Sequence, residues 1–413
     1  MSRLPTHRIE SFAWVLPFAI GLYLTSLPFL PPQPAALALV LVTGIFAVTE
    51  LQRAEKSFAF MLPVLPFLAS EMLAAARAAA PDVAAGFFSF QLPGLILFVI
   101  LAHDRSMSAR RWMWIWTFFL LVMATSVIAG WLRWRLGGAD LTFDEDVPQA
   151  VLRLSGNMLL SVPNDVCVVG ILAALPLGLL STGANGIGRW VAIAAIGSAL
   201  LALSLARSRT GLVILGAECF LACLFRPRLL VWLVPLCLLA VFADSWFGLL
   251  SLQKFMLSDR HDLHGIAGRL GLWVAALRLF AQAPLIGGGA LSFGMLHWPY
   301  MPSWAPRFPE GRVMWSHSLF LDMLAEQGIL GLAAFVVLLF APVRKAAYAA
   351  RHAPPEMRAY AYWALCALGG FLLASAVELS FIRRWVPLVM FGLLGFALKI
   401  AAPQTGSCNR TVL

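Results

Sequence analysis

ALSLARSRTGLVILGA, residues 202–217, sets two apolar runs on either side of a four-residue polar tip, Arg207-Ser208-Arg209-Thr210. A tip this short joins two neighbouring helices. Flanks this apolar call for hydrocarbon rather than a soluble core. The same alternation of apolar runs and short polar joints recurs along all 413 residues, of which 61% are hydrophobic and 12% charged. The expected fold class is therefore an all-α polytopic membrane protein. A transmembrane β-barrel would instead show short alternating segments, and these are absent.

Each crossing needs about 20 apolar residues, which gives about twelve spans. They fall near 11–30, 35–50, 57–76, 85–102, 111–132, 164–181, 189–206, 210–225, 229–249, 317–340, 360–380 and 384–402. The third is interrupted by Pro63 and Pro66 and carries Glu71. The basic N-terminus leads into a long run without a small-residue cleavage site, so it is expected to stay as the first helix. Placing both termini in the cytoplasm puts the clusters HDRSMSARR and VRKAAYAARHAPPEMR inside, as the positive-inside rule prefers. Sixteen of the thirty Lys and Arg then lie inside. Most of the others sit in two long outer segments, which count little towards orientation. The net charge of +10 is thereby read as membrane topology, with no nucleic-acid partner.

Four parts follow: N-terminal helices and a first outer loop over 1–160, central helices with the RSRT tip over 161–250, a large periplasmic loop over 251–316, and C-terminal helices over 317–413. The first outer loop carries the acidic run Asp144, Glu145, Asp146. The large loop contains GRLGLWVAALRLFAQAP, where Leu270, Trp273, Val274, Leu277 and Phe280 recur at helical spacing. An amphipathic helix is expected there, along the membrane surface or across the mouth of the bundle. IGGGA, residues 286–290, is expected to form a flexible turn. Five of the six cysteines fall inside apolar runs and Cys408 in the tail, with no zinc spacing, so no metal site is expected.

Three polar groups fall at the outer boundary: Arg207 with Arg209, Arg269, and His317. Arginine presents paired donors to phosphate and keeps its charge. Arg269 stands near a helix N-terminus, where free N–H groups favour an anion. Ser316 is the expected N-cap before His317, whose imidazole suits a general base. The plainer reading of each arginine is a side chain snorkelling to lipid headgroups, and of the histidine a structural residue. Asp322 and Glu326 read either as arginine partners or as a solvated cavity wall. Glu218, in mid-span, is expected to face the bundle interior.

In these stretches the chain resembles the O-antigen ligase and polymerase superfamily of bacterial envelope glycosyltransferases. The resemblance rests on SRTGLV at 208–213, GRLGLWVAALRLFAQAPLIGGGALSF at 268–293 and SHSLFLDMLAEQGILG at 316–331, in that order, with VPN at 162–164 as a less specific feature. His317 is followed by Ser318, where many members have asparagine. The resemblance implies a multi-pass enzyme of the bacterial inner membrane, its active site facing the periplasm, inverting and metal-independent, with no cofactor. The donor would be a glycan on undecaprenyl pyrophosphate. The acceptor would be a sugar hydroxyl of lipid A–core in a ligase, or a second lipid-linked repeat in a polymerase. His317, Arg207 and Arg269 would be catalytic, and Arg207, Arg209, Arg269 and Arg278 would hold the pyrophosphate. Span number and the single dominant loop favour the ligase. A protein O-oligosaccharyltransferase would need a large C-terminal outer domain. A lipid or polysaccharide transporter would need midplane charges, for which Glu218 is the main candidate, and repeated halves, which are not visible.

Overall fold

The computed structural model describes residues 15–51, 61–103, 108–137, 147–225, 266–306 and 314–400, with isolated positions between 227 and 238. Among these residues the chain is helical and has no strand. The helices in chain order are α1 (Val15–Ser26), α2 (Pro32–Leu51), α3 (Val64–Ala76), α4 (Pro81–Ser89), α5 (Gln91–His103), α6 (Ala109–Leu136), α7 (Val147–Ser155), α8 (Cys167–Leu172), α9 (Ala174–Ser181), α10 (Ile187–Leu205), α11 (Arg209–Phe225), α12 (Ile266–Gln282), α13 (Ser292–Leu296), α14 (Leu319–His352), α15 (Pro355–Val377) and α16 (Trp385–Ile400). Single-turn helices cover Leu27–Phe29, Pro163–Val166, Pro227–Leu229 and Trp298–Tyr300.

Among the described residues, six helical stretches are long and apolar enough to cross a membrane: Pro81–His103, Ala109–Leu136, Pro163–Ser181, Ile187–Leu205, Leu319–His352 and Pro355–Val377. Shorter apolar helices stand at Val15–Phe29, Pro34–Phe46, Val64–Ala76 and Trp385–Ile400. Most of the span expected at 229–249, the acidic run 144–146 and all of 251–265 lie outside the described residues. The prolines of the third span are accommodated at its start. Pro63 is the N-cap of α3 and Pro66 sits in its first turn, where a missing N–H breaks no bond.

The larger core cluster is built mainly from the inward faces of α1, α5, α6, α8–α11 and α14–α16, with Trp112, Trp116, Trp363 and Trp385 fully buried. Outward rows such as Val336, Val337 and Phe340 on α14 stay exposed. Water would penalise an apolar rim of that kind, whereas lipid tails accept it. The helix expected at the outer loop is α12, and Arg269 is the fourth of its residues. Its buried face carries Leu272, Ala275, Ala276 and Leu279, packed on Phe293 and Ala325. Leu270 and Leu277, from the stripe picked out by spacing, are exposed instead. The small Ala275 and Ala276 let α12 lie close to α14 between the buried Leu272 and Leu279.

IGGGA is a packed strap rather than a flexible turn. α14 breaks at Gly328 (φ 68°), which frees backbone groups on both sides of the break. The strap takes them up. Gly288 N donates to Ala325 O at 2.8 Å and Gly289 N to Glu326 O at 2.9 Å, while Ile329 N donates to Pro284 O at 2.9 Å. A Cβ on Gly287 (φ 67°) would lie 2.2 Å from the backbone carbon of Glu326. Glycine is required there by both the backbone conformation and the lack of space. On the far side Ala290 N donates to Ala74 O at 2.8 Å, and the Arg77 guanidinium donates to Gly287 O at 3.2 Å.

Candidate active site

The functional candidates gather at one end of the bundle, where α3, α6, α10 and α15 end and α8, α11, α14 and α16 begin. The RSRT tip is the tight turn between α10 and α11. Arg207 takes a left-handed conformation (φ 52°), and Ser208 N reaches back to Leu203 O at 2.9 Å. Ser208 O then accepts from Leu212 N at 3.0 Å, and Arg209 opens α11. A Cβ on Gly211 would stand 3.0 Å from Cys167 Cα, and one on Gly170 would stand 2.6 Å from Gly211 O. This close approach seats the arginine turn against the start of α8, directly after the single-turn helix that carries Asn164 and Asp165.

A residue that spacing did not single out organises the site. Glu378 caps the C-terminus of α15 and is buried. One carboxylate oxygen, Oε2, accepts from Arg269 Nη2 at 2.7 Å. The other, Oε1, lies 3.1 Å from His317 Nδ1 and accepts from Asn164 Nδ2 at 2.5 Å. Four chain segments therefore meet on one carboxylate. An ionised carboxylate only accepts, so Nδ1 of a neutral His317 carries the ring proton and Nε2 holds the lone pair. His317 itself sits in the left-handed region (φ 58°), two residues before α14.

Ser316 does not cap α14 through its side chain; the N-cap position is Ser318. The bond runs the other way, with Asp322 Oδ1 accepting from Ser316 N at 2.7 Å. Asp322 thus pins the residue before the histidine. Trp315 lies tilted beside His317, with ring centroids 5.1 Å apart and planes 43° apart, and the Arg383 guanidinium lies 4.2 Å over the Trp315 ring. Asp165 holds the opposite wall. It accepts from Ser161 N (2.8 Å), Val162 N (3.0 Å) and Trp385 Nε1 (3.0 Å), and Arg383 Nε stands 3.6 Å away.

Arg278 is not brought to this group. It lies nine residues after Arg269, half a turn round α12, and its exposed guanidinium donates to Tyr300 O at 3.0 Å. Glu218 faces the bundle interior as expected, buried, with Oε1 3.3 Å from the Cβ position of Gly370. A second loop histidine, His297, stacks on Phe293 (5.1 Å, 20°) with Nδ1 3.0 Å from Phe293 O. Burial holds its pKa below the usual histidine value, which suits a neutral packing group.

No group of three or more His, Cys, Asp or Glu able to hold a metal ion occurs among the described residues. What the site offers is fixed cations, an oriented imidazole and a buried counter-charge. Such a set can bind a phosphorylated substrate and accept one proton.

Residues 192–336 match the family described as O-Antigen ligase. The match spans about a third of the chain, from α10 into α14, and includes Arg207, Arg209, Arg269, Arg278 and His317. Asn164 and Glu378 lie outside it. No curated protein matches the chain.

Proposed function

From the place of this chain in the O-antigen ligase superfamily of membrane enzymes, which residues 192–336 support, we propose that it transfers a glycan from undecaprenyl pyrophosphate to a sugar hydroxyl of lipid A–core on the periplasmic face of the inner membrane. The observation that carries this reading is the meeting of Arg269, His317 and Asn164 on Glu378. That arrangement orients a base beside a permanent cation, as transfer from a lipid diphosphate requires.

In this mechanism His317 Nε2 takes the proton of the acceptor hydroxyl as its oxygen attacks the anomeric carbon. The bond from that carbon to the phosphate oxygen breaks, and its electron pair leaves on the lipid diphosphate. The configuration inverts in a single displacement. Guanidinium groups fixed before the reaction stabilise the growing charge. Arg207 and Arg209, on the turn beside the Asn164 segment, would grip the diphosphate. Arg269 joins them with the N–H groups not given to Glu378. A positioned base contributes on the order of 10²–10⁴ in rate.

Glu378 serves two of these groups at once. Its carboxylate already neutralises Arg269, which lets the cation wait in a half-buried position without substrate. It also fixes the histidine tautomer. The polar end of the bundle is read as periplasmic because the opposite end carries the clustered basic joints HDRSMSARR and VRKAAYAARHAPPEMR, which count most towards orientation.

The test uses purified full-length protein in nanodiscs with polyprenyl-pyrophosphate glycan and two alternative acceptors. Elongation of lipid A–core is the expected result. Elongation of a second lipid-linked unit instead would make the enzyme a polymerase. Transfer to neither acceptor would end the transferase reading.

A further inference from the structure

The His317 ring is held by one hydrogen bond, between Nδ1 and Glu378 Oε1 at 3.1 Å. A bond to one atom fixes the tautomer but leaves the ring free to tip about that atom, and Nε2 lies on its far edge. A second restraint comes from the side. The Trp315 ring stands against the imidazole with centroids 5.1 Å apart and planes tilted by 43°. No hydrogen bond holds the indole, since its Nε1 is buried without a partner. Its place is set by contacts to its ring instead, and the Arg383 guanidinium lies 4.2 Å over that ring.

Arg383 is the anchored member of this stack. Its Nη1 donates to Ser161 Oγ at 2.5 Å, and its Nε is charge-paired with Asp165 Oδ1 at 3.6 Å. Asp165 is itself fixed, because its buried carboxylate also accepts from Ser161 N, Val162 N and Trp385 Nε1. Asp165 follows Asn164, which holds Glu378. Two lines of contact therefore run from the single turn Pro163–Val166 to the histidine. One passes through Asn164 and Glu378 to the edge of the ring. The other passes through Asp165, Arg383 and Trp315 to its face. An edge contact and a face contact together leave the imidazole one orientation. With Nη1, Nε and one face engaged by the protein, Arg383 differs from the arginines assigned to the diphosphate.

We infer that Arg383 and Trp315 are positioning residues for the reaction: stacked in that order, they hold the His317 ring so that Nε2 faces the acceptor hydroxyl. Neither touches the reacting atoms. Their effect on rate rests on the reading of His317 as the base of a transferase, whereas the placement of the ring is measured without turnover. A cation over an indole is a modest contact, and a misaimed base still turns over slowly. Removing either residue is therefore expected to lower kcat by about tenfold rather than abolish it.

The experiment uses full-length protein in nanodiscs with isotope-labelled histidine, the His317 side-chain NMR signals being those lost in His317→Ala. Wild type is expected to show one sharp set, with the ring proton on Nδ1. Arg383→Met, which keeps chain length and removes the charge, and Trp315→Leu are expected to broaden that set or split it between tautomers. Trp315→Phe keeps a ring for Arg383 to cover and should restore it. In the transfer assay the first two variants should lower kcat about tenfold with donor KM within about twofold of wild type. Arg383→Met should add no further loss in a His317→Ala background, because it acts through that ring. Thermal unfolding identifies folded variants, and Arg383→Met carries the test if Trp315→Leu does not fold. Folded variants whose His317 signals match wild type would overturn the inference, as would altered signals with an unchanged kcat. Wild type that elongates no acceptor, while the variants still disorder the His317 ring, would leave the placement standing and remove the transferase reading instead.

Discussion

Replacing Glu378 by glutamine is the sharpest probe of the site, because it keeps the shape and removes only the charge and one acceptor. The carboxylate accepts on both oxygens: from His317 and Asn164 on Oε1, and from Arg269 on Oε2. Glutamine has a single carbonyl oxygen. Whichever way its amide turns, an NH₂ group faces a donor. If it faces Arg269, the guanidinium loses its counter-charge. If it faces His317, the ring is driven towards the other tautomer, with the proton on Nε2 and no lone pair for the acceptor. A hydrogen bond to a charged group contributes about 1.5–3 kcal/mol, which corresponds to roughly 10- to 150-fold in an equilibrium or rate. Losing base catalysis as well extends the range towards 10⁴. The expected outcome is a kcat lower by about 10²–10³ with donor KM changed by less, read from initial rates of glycan transfer in nanodiscs. Thermal unfolding of the same sample should show a folded protein. A folded Glu378→Gln enzyme within twofold of wild type, while His317→Ala is inactive, would refute the claim that Glu378 orients the base.

Other outcomes follow from the same geometry. Arg207→Ala and Arg269→Ala should abolish transfer with protein levels near normal. Arg269→Lys should remain at least tenfold impaired, because an ammonium cannot hold Glu378 and a phosphate in one plane, an effect on the order of a charged hydrogen bond; initial rates decide both. Arg278→Ala should retain most activity, since its guanidinium serves the Tyr300 carbonyl. Gly287→Ala should cost several kcal/mol, roughly the sum of left-handed strain and a backbone collision, and show as lost expression or a lower Tm. His297 binds a proton less readily folded than unfolded, so its contribution to stability is present at neutral pH and lost as pH falls through the ordinary histidine range. His297→Asn should therefore flatten the acid side of a Tm-against-pH curve.

The helical, membrane-spanning class was legible in the recurrence of apolar runs, although of the twelve expected spans six helical stretches among the described residues are long and apolar enough to cross. The RSRT turn stood out as two charges in an apolar hairpin, and His317 and Arg269 as polar groups at helix starts. Glu378 gave no such sign. It sits in AVELSFIRRW, residues 376–385, and its partners are 61, 109 and 214 residues away. No local period connects positions so far apart; only the folded bundle does. Arg383 was equally hidden, since RRW at a helix start looks like an interfacial anchor. IGGGA misled for a different reason. Glycine serves both mobility and close packing, and the choice between them depends on α14 breaking at Gly328. The amphipathic stripe on α12 misled because the buried face is turned from it: Leu272, Ala275, Ala276 and Leu279 face the contact, while Leu270 and Leu277 face the open side.

The break in α14 makes the segment around the glycine strap non-modular. Residues 284–289 occupy the gap in a helix made some forty residues later, so neither piece has satisfied backbone until the other arrives. During synthesis the glycine stretch emerges first and must wait as an open template around which the later helix closes. Transplanting the outer segment between related enzymes would then carry over function only if the matching part of α14, Ala325 to Leu330, travelled with it.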